Sequence, residues 1–321
     1  MKQKILIIRF SSFGDIIHTM SVLRPLKKRF PDSEIHWVAR SDMASIVALS
    51  PDVFKVWSFE RKAGLSGLFS LGKNLDCEKF DYIYDAHNNI RSRLLGLVVR
   101  SSHFARRSKA RIKRLLLFKF RINLFPKPFV AMRSYLHPLK KWGVSGRGAL
   151  VTHLNLSGID FEESLDIVLA PSAAHRMKTW PQDHFKKLIE LLPERRFAVL
   201  GGPDDHFCQE FEYSFPDRVK NYAGKLSYEQ SIKAVLNSQI VVSADTGIIQ
   251  VADLLGVKGL DLIGPTAFGF PANKNIETLE VELKCRPCSK DGRGRCNQKI
   301  YQQCMVSISP ELVASKIKSS F

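Results

Sequence analysis

The chain has 321 residues, 45% hydrophobic and 25% charged, with a formal net charge of +18. This is globular composition with length for about two domains, and the lack of any apolar run near ~18 residues excludes a membrane-spanning helix. The opening Met1-Lys2-Gln3-Lys4, with Arg9 soon after, is no secretion signal, so a cytoplasmic location is expected and the six cysteines read as thiols or metal ligands rather than disulfides.

The first patterned segment, residues 5–8, is a short apolar run that reads as a buried strand. It ends in Arg9-Phe10-Ser11-Ser12-Phe13-Gly14-Asp15, and an amphipathic helix is expected over 16–30, with Ile17, Met20, Leu23 and Leu26 on its apolar side and Pro31 closing it. Asp15 therefore stands at a helix N-terminus beyond the C-terminal end of the first strand. In open α/β sheets that crevice is where ligands sit. Two readings follow: a first-turn acid answering the orphan N–H groups and the dipole, or an acid placed for chemistry. No GxGxxG and no Walker lysine accompany it, so neither a dinucleotide site nor a P-loop is supported. Further strands are expected at 34–39, 52–59 and 80–85, with a helix near 43–49. Strands alternating with helices imply a parallel, doubly wound sheet.

Residues 86–159 contain no acid and 16 basic residues, among them Arg91, Arg93, Arg106, Arg107, Lys109, Arg111, Lys113, Arg114 and Arg147. Helix-like runs are expected at 91–100 and 110–121, where Leu115, Leu116, Leu117, Phe118 and Phe120 interleave with the cations. An unopposed block of this length suits an anionic surface or ligand; nucleic acid, anionic lipid and acidic glycolipid all satisfy the composition, as does an ordinary solvated face.

The strand pattern restarts at 166–170. Its loop carries Ser172 and Lys178 and leads into a helix at 182–192. A strand at 197–200 ends in Gly201-Gly202-Pro203, one at 239–243 in Ala244-Asp245-Thr246-Gly247 before a helix at 248–255, and one at 259–263 in Gly264-Pro265-Thr266. Free N–H groups and a hydroxyl at 245–247 suit a phosphate; a plain Asp/Thr cap is the alternative. With a linker near 148–165, the domains are expected at 1–155 and 156–321. Ser309-Pro310-Glu311 opens a last helix, with Leu312, Val313, Ile317 and Phe321, that is expected to pack back on the N-terminal domain.

Taken in order, Ile7-Ile8-Arg9-Phe10-Ser11-Ser12-Phe13-Gly14-Asp15-Ile16-Ile17-His18-Thr19, Lys178-Thr179-Trp180-Pro181, Gly201-Gly202-Pro203-Asp204-Asp205, Asp245-Thr246-Gly247 and Gly264-Pro265-Thr266 resemble glycosyltransferase family nine, the ADP-heptose:lipopolysaccharide heptosyltransferases. The resemblance covers nearly the whole chain. It implies the GT-B architecture: α/β, two Rossmann-like doubly wound domains facing a cleft, the first for the acceptor and the second for the nucleotide sugar. It implies inverting transfer of a heptose from ADP-L-glycero-β-D-manno-heptose to a Kdo- or heptose-bearing inner-core lipopolysaccharide acceptor, with no cofactor. No Asp-x-Asp pair offers a metal–diphosphate clamp, so the reaction is expected to be metal-independent.

Carried over residue by residue, the resemblance makes Asp15 the general base, with Ser12 and Gly14 on the acceptor side. Ser172, Lys178, Asp205, Asp245, Thr246 and Gly247 fall on the donor side, Asp205 near the family's ribose-contacting acid. Arg106, Arg107 and Lys109 then become acceptor contacts, and the rest of the basic block a hold on the anionic cytoplasmic leaflet; no nucleic acid is expected. One position departs from the pattern. Where the family commonly has a histidine three residues after the glycine of Asp-Thr-Gly, this chain has Gln250, which donates a hydrogen bond but cannot be a cation. The rival reading is a non-catalytic GT-B-like protein that binds anionic glycolipid or nucleic acid.

Near the C-terminus the chain reads Cys285-x2-Cys288-x7-Cys296-x7-Cys304. These are plain thiols or, alternatively, a structural zinc knot, although the spacing is not a standard finger spacing.

Overall fold

The computed structural model describes residues 2–146 and 150–320. Arg147, Gly148 and Ala149, which include one cation of the basic block and the start of the expected linker, and Phe321 of the last helix lie outside the described residues. The chain forms two compact units, Met1–Ala110 with Ala131–Ser157, and Arg111–Val130 with Gly158–Phe321. A boundary near residue 155 would leave 111–130 in the first domain; the structure groups that segment with the second.

The first unit has five parallel strands: β1 (Lys4–Ile8), β2 (Glu34–Arg40), β3 (Lys55–Phe59), β4 (Phe80–Asp85) and β5 (Ser101–Arg106), in the order β3-β2-β1-β4-β5. Ile5, Leu6, Ile7 and Ile8 are fully buried, which is why β1 reads as an unbroken apolar run rather than an alternation: a parallel strand is covered on both faces. The order reverses between β1 and β4, which pair directly through Ile5–Tyr82 to Ile8–Asp85. Loops leaving these two strands therefore flank the switch point. The helix expected over 16–30 forms as two, Phe13–Met20 and Leu23–Arg29. Pro25 has no N–H to give the Ser21 carbonyl, so one continuous helix cannot pass through it.

The second unit has six parallel strands: β6 (Leu165–Ala170), β7 (Phe197–Val199), β8 (Val219–Asn221), β9 (Ser238–Ala244), β10 (Gly259–Ile263) and β11 (Ile276–Glu280), in the order β11-β10-β9-β6-β7-β8. This is the doubly wound order, with its reversal between β6 and β9. Trp180, Phe185, Phe197 and Phe211 form the heavy part of its core, and the Trp180 indole donates to the Ile308 carbonyl at 2.9 Å. The last helix, Pro310–Lys318, is capped by Ser309. What buries its apolar side is the core of its own unit, which takes in Val313, Ala314 and Ile317. Residues 111–130 join this unit through Phe268: the rings of Phe118, Phe125 and Phe129 lie 6.0, 5.1 and 5.2 Å from it.

Candidate functional site

Functional side chains gather at the switch point of each sheet. In the first unit, Asp15 is the third residue of the helix Phe13–Met20, with Ser12 as N-cap. The Ser12 hydroxyl donates to Asp15 Oδ2 at 3.2 Å. Arg9, at the end of β1 and only 5% exposed, makes an ion pair with the same oxygen and donates to the Ala86 carbonyl at 3.0 Å. The Tyr135 hydroxyl donates to Asp15 Oδ1 at 2.8 Å. Tyr135 is itself fixed by the buried Tyr84, whose hydroxyl donates to the Tyr135 carbonyl at 2.7 Å. Burial alone would raise the Asp15 carboxyl, but the Arg9 guanidinium, the Tyr135 hydroxyl bond and the charges of His18 and Arg107 outweigh it and hold the group down to about 2. Its side chain nevertheless keeps 41% of its surface exposed. Asp15 is thus a carboxylate held ionised near neutral pH, oriented by Ser12, Arg9 and Tyr135 and open to an incoming group.

The β4 loop supplies the other wall. Asp85, with no exposed side-chain surface, accepts the N–H groups of His87 and Asn88 at 3.1 and 2.7 Å and Arg106 Nε at 2.7 Å. Its part is to shape the loop. His87 Nδ1 accepts the Phe10 N–H at 3.3 Å, so its remaining proton is on Nε2. Burial, then the charge of Arg9 and to a lesser extent that of Lys109, push His87 down to about 4, against a smaller pull from Asp15 and Asp85. Of the three basic residues expected at the acceptor, Arg106 is engaged with Asp85. Arg107 lies with its guanidinium 3.8 Å from the Tyr135 ring centroid and donates to Ser134 Oγ at 3.1 Å. Arg107 and Lys109 act on Asp15 and His87 through charge.

A pH effect on stability follows. The native chain holds His87 neutral down to about 4, whereas an unfolded chain binds that proton near ~6.5. Between these values the unfolded state carries more protons, so stability falls as pH falls. Asp15, depressed from 3.8 to about 2, adds a loss in the same direction below its unfolded value. His87→Gln is expected to flatten the wild-type decline of unfolding free energy between these two pH limits, by no more than about 1.4 kcal/mol per pH unit, and with it the decline of Tm. Parallel Tm–pH curves for the two proteins would show that His87 is not held neutral.

In the second unit, Lys178 and Asp245 come from the loops after β6 and β9, on either side of the reversal. Lys178 Nζ is 2.8 Å from Asp245 Oδ2, and the two side chains are only 16% and 10% exposed. Asp245 also accepts the Thr266 hydroxyl at 3.2 Å and the Gln250 amide at 3.4 Å. Gln250, at the position of the departure noted above, therefore belongs to this network, while its Oε1 is buried without a partner. Two glycines make the network possible. A Cβ at Gly269 would stand 2.1 Å from Asp245 Cγ, and one at Gly292, where φ is +91°, would stand 2.6 Å from Lys178 Cγ. Beside them the helix Gly247–Leu255 begins with Thr246 as N-cap, leaving first-turn N–H groups for an anion. The Thr246 hydroxyl is 2.8 Å from Ser243 Oγ. Asp205 accepts the Gly202 N–H at 2.6 Å, so one of its oxygens tightens its own turn. Ser172 lies in the β6 loop, partly buried.

Sequence reasoning missed several members of these clusters. Arg9 stood inside the quoted motif but was not singled out, and His87 had a signal in its position at a strand end. Tyr135, Gly269 and Gly292 had none, because nothing local marks a residue whose partner is distant in the chain. Asp261 on β10 is 1% exposed with neither oxygen hydrogen-bonded. Burial, then the nearby Asp245 charge, pushes it well above the usual carboxylate range. The four C-terminal cysteines are free thiols. Among the described residues, no three Cys, His, Asp or Glu side chains are grouped to hold a metal. Among the same residues, no helix is long and apolar enough to cross a membrane.

A family model described as glycosyltransferase family 9 (heptosyltransferase) matches residues 68–297. The lipooligosaccharide heptosyltransferase 2 of Haemophilus influenzae is 25% identical over 98% of this chain and 98% of its own length. The lipopolysaccharide heptosyltransferase 1 of Pseudomonas aeruginosa is 24% identical over 98% and 97%. The solved structure of the E. coli ADP-heptose LPS heptosyltransferase II is similar with a TM-score of 0.76, at 19% identity, over 99% of this chain and 98% of that one. The fold of two doubly wound α/β units is accordingly that of the GT-B class.

Proposed function

The chain belongs to glycosyltransferase family 9, the heptosyltransferases, and from that premise we propose that it moves a heptose, with inversion, from ADP-heptose to the inner core of lipopolysaccharide. The observation that carries the reading is Asp15: an ionised, part-exposed carboxylate oriented by Ser12, Arg9 and Tyr135 at the switch point of the first sheet. Inversion needs one base and no covalent intermediate, and a single placed carboxylate meets that need. The acceptor hydroxyl gives its proton to Asp15 as its oxygen attacks the anomeric carbon. Because so weak a base takes the proton late, Asp15 acts chiefly by orienting the hydroxyl and stabilising the charge that develops on it. In the second unit, Lys178 and the N–H groups at Thr246–Gly247 meet the negative charge that grows on the departing ADP. Asp245 serves by holding Lys178.

The reading extends to place. The acceptor is a glycolipid, so the enzyme would work at the cytoplasmic face of the inner membrane, and the acid-free stretch 86–159 supports that.

The deciding experiment is release of ADP from ADP-heptose by the purified protein. Release is expected only when a Kdo-bearing inner-core acceptor is present. ADP-heptose binding without any transfer to that acceptor would favour the non-catalytic reading. Turnover is also expected to persist in EDTA, since lysine and backbone dipoles meet the diphosphate charge. Activity lost to the chelator and restored by Mg²⁺ or Mn²⁺ would contradict this.

A further inference from the structure

The helix Arg111–Phe120 carries its apolar side chains on the wrong face for a surface helix. Leu117 is its buried residue, and Arg114 and Phe118 turn toward Phe268, with the guanidinium 4.6 Å and the ring 6.0 Å away. At about 100° per residue these three share one side, which puts Ile112, Leu115, Leu116, Lys119 and Phe120 on the other. Ile112 is 75% exposed, Leu115 56% and Phe120 54%, and the chain beyond adds Ile122 at 49% and Leu124 at 51%. Arg111 and Lys113, both exposed, flank the apolar strip on its two sides. Scattered exposed apolar residues are ordinary; a contiguous run of them is not.

We propose that residues 111–124 dock on an anionic phospholipid surface, with Ile112, Leu115, Phe120, Ile122 and Leu124 entering the boundary between headgroups and acyl chains and Arg111, Lys113 and Lys119 lying against lipid phosphates. Charge selects this occupant. Residues 111–124 carry Arg111, Lys113, Arg114, Lys119 and Arg121 and no acid, so a second copy brought strip to strip would set cation against cation. Nucleic acid would satisfy the cations but leave the aliphatic strip in water. An anionic bilayer satisfies both features, as interfacial amphipathic helices do. The inference rests on the membrane-peripheral reading given above and is independent of the transfer reaction.

The test is sedimentation of the full chain with vesicles of phosphatidylethanolamine and phosphatidylglycerol, against vesicles of phosphatidylcholine, at low and high salt. No lipopolysaccharide is present, so the outcome does not depend on the acceptor. Wild type is expected to bind the anionic vesicles selectively, and less at high salt. Leu115→Ser/Phe120→Ser should lower the apparent affinity about tenfold or more at either salt concentration. Lys113→Gln/Lys119→Gln should lower it about tenfold or more at low salt and little at high salt. All four positions are exposed, so thermal unfolding should coincide with wild type, which keeps folding out of the comparison. Failure of wild type to bind would overturn the membrane reading itself. Binding unchanged in both variants would place docking elsewhere, and a concentration-dependent dimer abolished by the Leu115/Phe120 variant would assign the strip to self-association.

Discussion

Asp15→Asn is expected to lower transfer by about 10²–10⁴-fold, with ADP affinity unchanged. The substitution keeps the shape of the side chain and removes its charge and proton affinity. Because Asp15 is held near 2 by Arg9 and Tyr135, it is ionised throughout the working range and should contribute no acid limb to kcat between about pH 5 and 8. A limb that appears there in wild type belongs to another group. One complication is specific to this site: Arg9 is buried, and losing its anionic partner leaves a buried charge poorly compensated, which is destabilising. Activity must therefore be compared below the onset of unfolding of the variant, followed by circular dichroism. Tyr135→Phe is the companion. It removes one hydrogen bond to Asp15 Oδ1 but leaves the carboxylate, so it should retain far more turnover than Asp15→Asn. Wild-type rates in Asp15→Asn would reduce the carboxylate to a helix-capping acid.

Much of this site was legible before any fold was drawn, for a physical reason. In a parallel sheet the strands are apolar runs and the ligand-binding loops follow their C-terminal ends, so an odd polar residue just after an apolar run marks itself. Asp15 and Asp245 are of that kind; Lys178, further along the loop after β6, was marked only by the family resemblance. What was not legible is how the side chains spend their charge. The 16 cations of 86–159 read as one face, yet Arg106 is committed to Asp85 and Arg114 lies over the Phe268 ring. Lys178 and Asp245 were both assigned to the donor, and the structure pairs them with each other. β5 was passed over because an edge strand with exposed Ser102 and His103 lacks the apolar run that marks its neighbours. The three-residue β8 is too short to show any period.

That pairing leads to the second large effect. Lys178→Ala is expected to weaken ADP binding by about 10–150-fold, the equivalent of a charge-assisted hydrogen bond worth about 1.5–3 kcal/mol, and to slow departure of ADP. Asp245→Asn separates the two roles its carboxylate could have. If Asp245 acts by holding Lys178 Nζ at 2.8 Å, the variant keeps the cation and loses only its position. Calorimetry should then show ADP bound no more weakly than in wild type, while kcat falls because the ammonium no longer meets the leaving oxygen in a fixed place. If Asp245 instead touches the nucleotide directly, affinity should fall in Asp245→Asn as it does in Lys178→Ala. The double variant decides between them. Residues that act through one contact are non-additive, so with Lys178 already removed, the further change at position 245 should cost almost nothing in ADP affinity or turnover. Two full, additive losses would mean that the lysine and the aspartate contact the donor independently and that their ion pair exists only while the nucleotide is away.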